Sequence, residues 1–293
     1  MCDLENPRYS RILRFVGDNG MKRLIHAKVI VVGLGAVGSY AVEGLARAGI
    51  GHLRLVDFDT IQPSNINRQL YALESTINRP KCDVARERVL DINPDCKVEA
   101  MRIFVHTDTM DEIFRDFQPD FVVDAIDSLS PKVELMAWLQ EKKIPFISSM
   151  GAALRSDPTK IEIGPLRKVN GCPLARMIKK RFRKRKLKMN CPCVHSSEDI
   201  SAVRHACLGE PEPSTLEEAR RGRARHVMGS LPTITGIFGL ALANYVIQKL
   251  AFPPKPPRPP RPKRPRLPSN GKEKETPGNF TNAENTPDFP EEE

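Results

Sequence analysis

The feature that most constrains this chain is a β-branched run, AKVIVV at 27–32, that passes directly into the turn GLGAVG. A strand that is apolar at every position after Lys28 is covered on both faces, which is the signature of a parallel sheet. The segment SYAVEGLARA at 39–48 has helical periodicity, GIG at 49–51 ends it, and LRLV at 53–56 is the next strand. Strand, glycine turn, helix and strand in this order form a βαβ crossover. The alternation then continues. A helix is expected at 81–92, ending at Asn93-Pro94, then a strand at 97–104 and a helix at 108–117 capped by Asp108. A strand at 121–125, a helix at 131–142 and a strand at 145–149 follow. The predicted fold class is α/β: a doubly wound, Rossmann-like, mainly parallel sheet with helices on both faces, extended by further strands and a C-terminal helix.

The flanking regions differ in character. Residues 1–26 read as an N-terminal helical arm, and 27–252 as the nucleotide-binding domain. KIEIG at 160–164 alternates like a strand. Residues 166–228 are polar, basic and cysteine-bearing with weak periodicity, and read as an insertion or long crossover. Residues 253–293 are proline-rich and basic, then acidic, and bury too little apolar surface to fold alone. The net charge of +10 favours polyanionic partners. It is concentrated in KKRFRKRKLK at 179–188, read as an RNA-contacting surface over a merely solvated helix face, and in the tail. An odd count of seven cysteines is not a secreted disulfide framework. With no apolar signal core at the N-terminus, the expectation is a reduced, cytoplasmic protein. The apolar stretch at 231–252 approaches the length of a membrane span, but Thr233, Thr235, Asn244 and Gln248 favour a core or dimer-interface helix.

Several residues carry chemistry. Gly33, Gly35 and Gly38 form G-x-G-x-x-G between a strand and a helix, where backbone N–H groups and the helix N-terminus suit phosphate. Asp57 ends the second strand, where an acid suits ribose hydroxyls. To this point NAD and ATP are equally served. Asp59 is read evenly as a site residue or a solvated loop carboxylate. The polar hexad SNINRQ at 64–69 and Lys81 at a helix start separate the two nucleotides. A triphosphate attacked at phosphorus needs cations on the departing phosphates, and Arg68 and Lys81 suit that need. Asp127, at the carboxyl edge of the sheet, suits Mg²⁺ bridged to phosphate oxygens, or caps the helix that follows.

GLGAVGSYAVEGLARAGIGHLRLVDFDTIQPSNINRQ, then Lys81, then INP at 92–94, then DAIDS at 124–128, resembles the ubiquitin-activating-enzyme-like superfamily. The resemblance runs from about residue 8 to 250. It implies that Gly33, Gly35 and Gly38 cradle ATP, that Asp57 holds the ribose, that Asn65, Arg68 and Lys81 contact phosphates, and that Asp127 binds Mg²⁺. It also implies an arginine from the arm, Arg11 or Arg14, that reaches the phosphates, in many members from a homodimer partner. Ala36 stands where the family usually has a further glycine. DAIDSLSPK at 124–132 and GAALRSDPTKIEI at 151–163 are similar to the tRNA threonylcarbamoyladenosine dehydratases. That branch implies ATP-driven cyclisation of the threonylcarbamoyl group of a tRNA adenosine, through activation of its carboxylate.

Two alternatives stand beside this reading. One is an adenylating activator of a ubiquitin-like or sulfur-carrier protein, which would need that protein partner. The other is a nucleotide-binding RNA or membrane adaptor without turnover. Superfamily activators often carry paired C-x-x-C zinc sites or a thioester cysteine. Here Cys191 and Cys193 form C-x-C, with Cys172, His195, His205 and Cys207 in the same region, and free thiols are favoured over zinc. Residues 227–229 lack a cysteine that some dehydratases carry, which puts a sulfur-relay role in doubt.

Overall fold

Apolar strands joined by amphipathic helices give, in the computed structural model, a seven-stranded sheet between two helical layers. The structure describes residues 6–200, 208–211 and 226–253. The strands are β1 (Lys28–Val32), β2 (His52–Val56), β3 (Lys97–Met101), β4 (Phe121–Asp124), β5 (Phe146–Ser149), β6 (Ile161–Pro165) and β7 (Pro192–Ser196). Their order is β3-β2-β1-β4-β5-β7-β6. All neighbours are parallel except the β6–β7 pair. The order reverses direction between β1 and β4, and there the carboxyl ends of the strands open a crevice suited to a ligand.

Helices α1 (Ser10–His26), α2 (Gly38–Arg47), α3 (Lys81–Ile92) and α7 (Pro232–Ala251) cover one face, through Val29, Val31, Leu53 and Leu55. Helices α4 (Met110–Phe114), α5 (Leu129–Glu141) and α6 (Pro173–Lys184) cover the other, through Ile30, Val32, Val56 and Val122. Alternate residues of β1 therefore enter opposite layers, as the period of a strand requires. A small antiparallel pair, β8 (Leu208–Pro211) and β9 (His226–Met228), stands apart from the main sheet.

Several expectations need correction. The strand expected at 97–104 ends at Met101. The helix expected at 108–117 is the short α4, whose N-cap is Thr109. Asp108 instead bonds the His106 ring, which draws its side chain away from the helix N–H groups. The 166–228 region is more integral than its polarity suggests. Pro192–Ser196 enters the sheet between β5 and β6, with Cys193, Val194, His195 and Ser196 all buried. α6 is amphipathic, burying Ala175, Ile178 and Phe182 under a cationic outer face. The tail from 254 lies outside the described residues, as do His205 and Cys207.

Helix α7 is long and apolar enough to cross a membrane by length and composition, yet half of that window is buried inside the fold. Gly239 explains how it lies so close to α2: a Cβ there would sit 2.2 Å from the Val37 carbonyl oxygen. Ile237 and Leu240 of α7 remain exposed.

Candidate active site

The glycine turn separates demands of the fold from demands of a ligand. Gly33 adopts φ +87°, and a Cβ on it would lie 2.9 Å from the Ala125 carbonyl oxygen. A Cβ on Gly38 would lie 1.8 Å from the Gly33 carbonyl oxygen. Both positions require glycine for the turn itself. Gly35 does not: the nearest atom to its Cβ position is Gln69 Nε2, at 3.8 Å. That space opens over the first turn of α2, where the helix N-terminus favours an anion.

Asp57, at the end of β2, clamps this turn. Its Oδ2 accepts from Leu34 N at 2.6 Å and its Oδ1 from Asp59 N at 2.9 Å. Burial pushes its carboxyl above the usual range, against the pull of Lys81 and the two N–H donors. Each oxygen keeps a lone pair for a ribose hydroxyl.

The hexad is folded over the turn by short-range bonds. Asn65 Oδ1 accepts from Gln62 N at 3.1 Å and closes a 3₁₀ turn, and the Asn65 carbonyl accepts from Gln69 N at 2.9 Å. The chain then docks on α2: Ser39 Oγ accepts from Leu70 N at 3.2 Å, and the Ser39 carbonyl from the Tyr71 hydroxyl at 3.1 Å. This docking brings the buried Gln69 against Gly35 and leaves Arg68 half-exposed, donating to the Ser64 carbonyl and to Asn67 Oδ1, each at 2.9 Å.

Lys81 opens α3, and its N–H donates to the Asp59 carbonyl at 3.0 Å. Its ammonium is buried and donates to Asp59 Oδ2 at 2.8 Å. Burial lowers its proton affinity, but Asp57 and Asp59, with a further pull from Asp127, outweigh that and hold it above its ordinary value. Asp59 is thus the partner of Lys81 rather than a solvated loop carboxylate. Asp127 is exposed on the loop after β4, and its Oδ1 accepts from Ser128 Oγ at 3.3 Å. The structure therefore brings Asp57, Asp59, Lys81 and Asp127 to one mouth beside the glycine turn.

A local surplus of carboxylate over ammonium suits a hard cation. Among the described residues, no group of three or more His, Cys, Asp or Glu side chains is placed to hold a metal. A Mg²⁺ at Asp127 would therefore complete its shell from phosphate oxygens and water, which is its usual habit. The same finding covers Cys191, Cys193 and His195. Both thiols are buried, and the Cys193 thiol is pushed well up by its contact with Cys191 and by burial.

Arg11 and Arg14 are exposed and are not brought to this mouth within one chain. The Tyr9 hydroxyl donates to Asn93 Oδ1 at 2.9 Å, the Tyr9 ring lies against Gly49, and Arg23 bonds the Ala251 carbonyl. Those partners lie at the amino edge of the sheet, opposite the glycine turn.

Sequence reasoning missed the layer beneath the mouth. Lys132 and Asp124 are both fully buried and bonded at 2.9 Å. Lys132 also donates to the Ile126 carbonyl at 2.8 Å, and Ser148 Oγ donates to Asp124 Oδ2 at 2.7 Å. These bonds hold the loop that carries Asp127. The spacing from 124 to 132 gave no sign of it, because the two residues meet only once α5 folds back on β4. Gln69 was visible as part of the hexad but not as a cover for Gly35.

Known proteins place the arrangement. The ThiF family profile matches residues 9–282. The chain is 35% identical over 243 residues to the tRNA threonylcarbamoyladenosine dehydratase of Bacillus subtilis, covering 83% of this chain and 94% of the relative. It is 36% identical over 159 residues to the molybdopterin-synthase adenylyltransferase of Salmonella typhimurium, covering 54% of this chain and 62% of the relative. It superimposes on the crystal structure of Escherichia coli tRNA N6-threonylcarbamoyladenosine dehydratase in complex with ATP with a TM-score of 0.73 and 30% identity, covering 85% of this chain and 96% of that one. The chain belongs to the ThiF family.

Proposed function

We propose that this protein is an ATP-dependent tRNA threonylcarbamoyladenosine dehydratase. It activates the threonyl carboxylate of the modified adenosine by adenylyl or phosphoryl transfer. A nucleophile of the carbamoyl group then attacks the activated carbonyl, the phosphorylated oxygen leaves, and the ring closes with net loss of one water. The observation that carries this reading is the open space at Gly35 beside Lys81 and Asp127: an anion cradle next to a buried ammonium and an exposed carboxylate.

The residue roles are those the family resemblance implies, and the shared mouth of Asp57, Lys81 and Asp127 supports them. Backbone N–H groups of the turn at Gly33, Gly35 and Gly38 bind phosphate, and Asp57 holds the ribose. Asn65, Arg68 and Lys81 contact phosphates. Lys81 exchanges Asp59 for phosphate when ATP enters, so charge developing on the leaving group meets an ammonium already in place. Asp127 holds Mg²⁺, which supplies Lewis-acid stabilisation of the phosphate oxygens. Arg11 or Arg14 reaches the phosphates from the second copy of a homodimer, in keeping with the arm's position at the far edge of its own sheet. The exposed Ile237 and Leu240 on α7 are candidates for that interface. The working division is an arm at 1–26, an ATP-binding domain at 27–252 and a tail at 253–293, in a cytoplasmic enzyme acting on tRNA.

A second reading is an adenylating activator of a sulfur-carrier or ubiquitin-like protein. It draws on the adenylyltransferase likeness, which spans only about half of the chain. Incubation of threonylcarbamoyladenosine-bearing tRNA with the protein, ATP and Mg²⁺, followed by nucleoside mass spectrometry, separates the two. The dehydratase removes one water from that nucleoside in an ATP-dependent manner. An unchanged nucleoside, with ATP still bound by the protein, would favour the carrier-protein activator.

A further inference from the structure

The cations from Lys179 in α6 to Arg185 at its C-cap fall into two groups. Arg181 donates to Ser130 Oγ at 3.0 Å, Arg185 pairs with Glu134, and Lys179 donates to the Val169 carbonyl at 2.5 Å. These three fasten α6 to the start of α5 and to the segment before α6. Lys180, Arg183 and Lys184 are exposed, with no ion pair or side-chain hydrogen bond among the described residues. Lys180 and Lys184 are one turn apart and repel each other, which offsets what Lys184 gains at the negative end of the helix.

They border a shallow groove. It is lined by Leu129, Met177, Lys180, Arg181 and Lys184 and has a volume of about 270 Å³. Met177 is exposed although it is apolar. Leu129 begins α5 and lies two residues after Asp127, so the groove begins beside the loop that carries that carboxylate. An apolar floor with cations along one rim fits a polymer that alternates flat bases with phosphates. Its size is near the low end for small-ligand pockets and suits a single base.

We infer that the groove between Leu129 and Met177, rimmed by Lys180 and Lys184, binds RNA of the substrate tRNA beside its reacting nucleotide. One base rests on the Leu129–Met177 floor, and neighbouring phosphates pair with the two lysines. Arg181 keeps the rim in register with the Asp127 loop through its bond to Ser130. With no aromatic side chain in the floor, the groove reads backbone and shape more than base identity. The physiological partner rests on the dehydratase reading; the binding of RNA at this groove does not.

The test compares the wild-type protein with the double variants Lys180→Glu/Lys184→Glu and Lys180→Arg/Lys184→Arg. Affinity for the modified tRNA and for its unmodified transcript is measured across a salt series, with ATP affinity in parallel. The glutamate pair is expected to bind both RNAs at least ~10-fold more weakly, with a log–log salt slope shallower by about 1.4, or ~0.7 per lost single-strand phosphate contact. The arginine pair should bind RNA as the wild type does, and ATP affinity should be equal in all three. Unchanged RNA affinity and slope in the glutamate pair would overturn the inference. So would loss of polyglutamate binding with RNA binding retained, which would assign the groove to an acidic protein. A wild-type protein that shows this RNA behaviour but never dehydrates the nucleoside would sink the proposed activity and leave the groove assignment standing.

Discussion

Two lysine–aspartate pairs lie at the carboxyl edge of the sheet, and they are built for different tasks. Lys132–Asp124 is sealed: both side chains are wholly buried and every donor is directed, with Ser148 Oγ and Ile126 N also bonding the carboxylate. Lys81–Asp59 is open on one side, with the Asp59 side chain about one-third exposed. A sealed pair cannot exchange partners without stranding a charge. An open pair can release its carboxylate to water and accept phosphate. The inner pair fixes the loop from β4 to α5, and the outer one meets the ligand.

Breaking the inner pair gives the largest expected effect. Lys132→Met leaves Asp124 buried without its cation and should cost about 3–5 kcal/mol of unfolding free energy in denaturant titration. Lys132→Met combined with Asp124→Leu should recover much of that loss, since removal of both charges also removes the stranded one. A Lys132→Met variant of wild-type stability would show that the pair is not sealed.

The outer lysine and the carboxylate of the neighbouring loop should respond in the opposite sense. Lys81→Met and Asp127→Ala should each lower kcat/KM for the tRNA by about 10²–10³, the usual cost of one donor to developing charge. Asp127→Ala, at an exposed side chain, should move the unfolding free energy by no more than ~1 kcal/mol, and Lys81→Met, whose partner Asp59 can turn to water, should cost clearly less than Lys132→Met. Equal losses of stability at Lys81 and Lys132 would erase the distinction between the pairs.

The turn beside them sharpens it further. Gly38→Ala must move the Gly33 carbonyl and should abolish ATP binding in calorimetry. Gly35→Ala has room in the apo fold and should weaken ATP binding while leaving the melting temperature nearly unchanged.

Smaller effects lie in pH. Lys81 has a raised folded pKa, so its contribution is complete below its unfolded value of about 10.5 and is lost as the pH rises through the folded one. The alkaline limb of stability should flatten in Lys81→Met. His195 is held below 6.5 by burial, so it adds stability above that pH which is lost on acidification through its folded value. The acid limb should flatten in His195→Gln.

The contrast between the pairs also shows what a linear sequence carries. The parallel core was readable because β1 is apolar and buried from Val29 to Val32 and the glycine turn leads from it directly into α2, so periodicity and turns were local signals. Helix 81–92 was read with its observed bounds, since Pro80 and Asn93-Pro94 punctuate both ends. Lys81 and Asp127 were visible as charges beside strand ends. What was not visible depends on tertiary approach. β7 is short, carries a cysteine and a histidine, and gains its place only from β5 and β6. Lys132 looks like a surface lysine until α5 turns it under the β4 loop. Asp57 was read for the ribose alone, whereas it also ties the glycine turn to β2.

The most direct test of the account follows an oxygen atom. Threonylcarbamoyladenosine-bearing tRNA, labelled with ¹⁸O in the threonyl carboxylate, is incubated with the protein, ATP and Mg²⁺, and the products are analysed by mass spectrometry. The account predicts that one label leaves the nucleoside and appears on phosphorus, in AMP if the carboxylate is adenylylated or in inorganic phosphate if it is phosphorylated. A nucleoside that keeps both labels while ATP is consumed would contradict activation of that carboxylate.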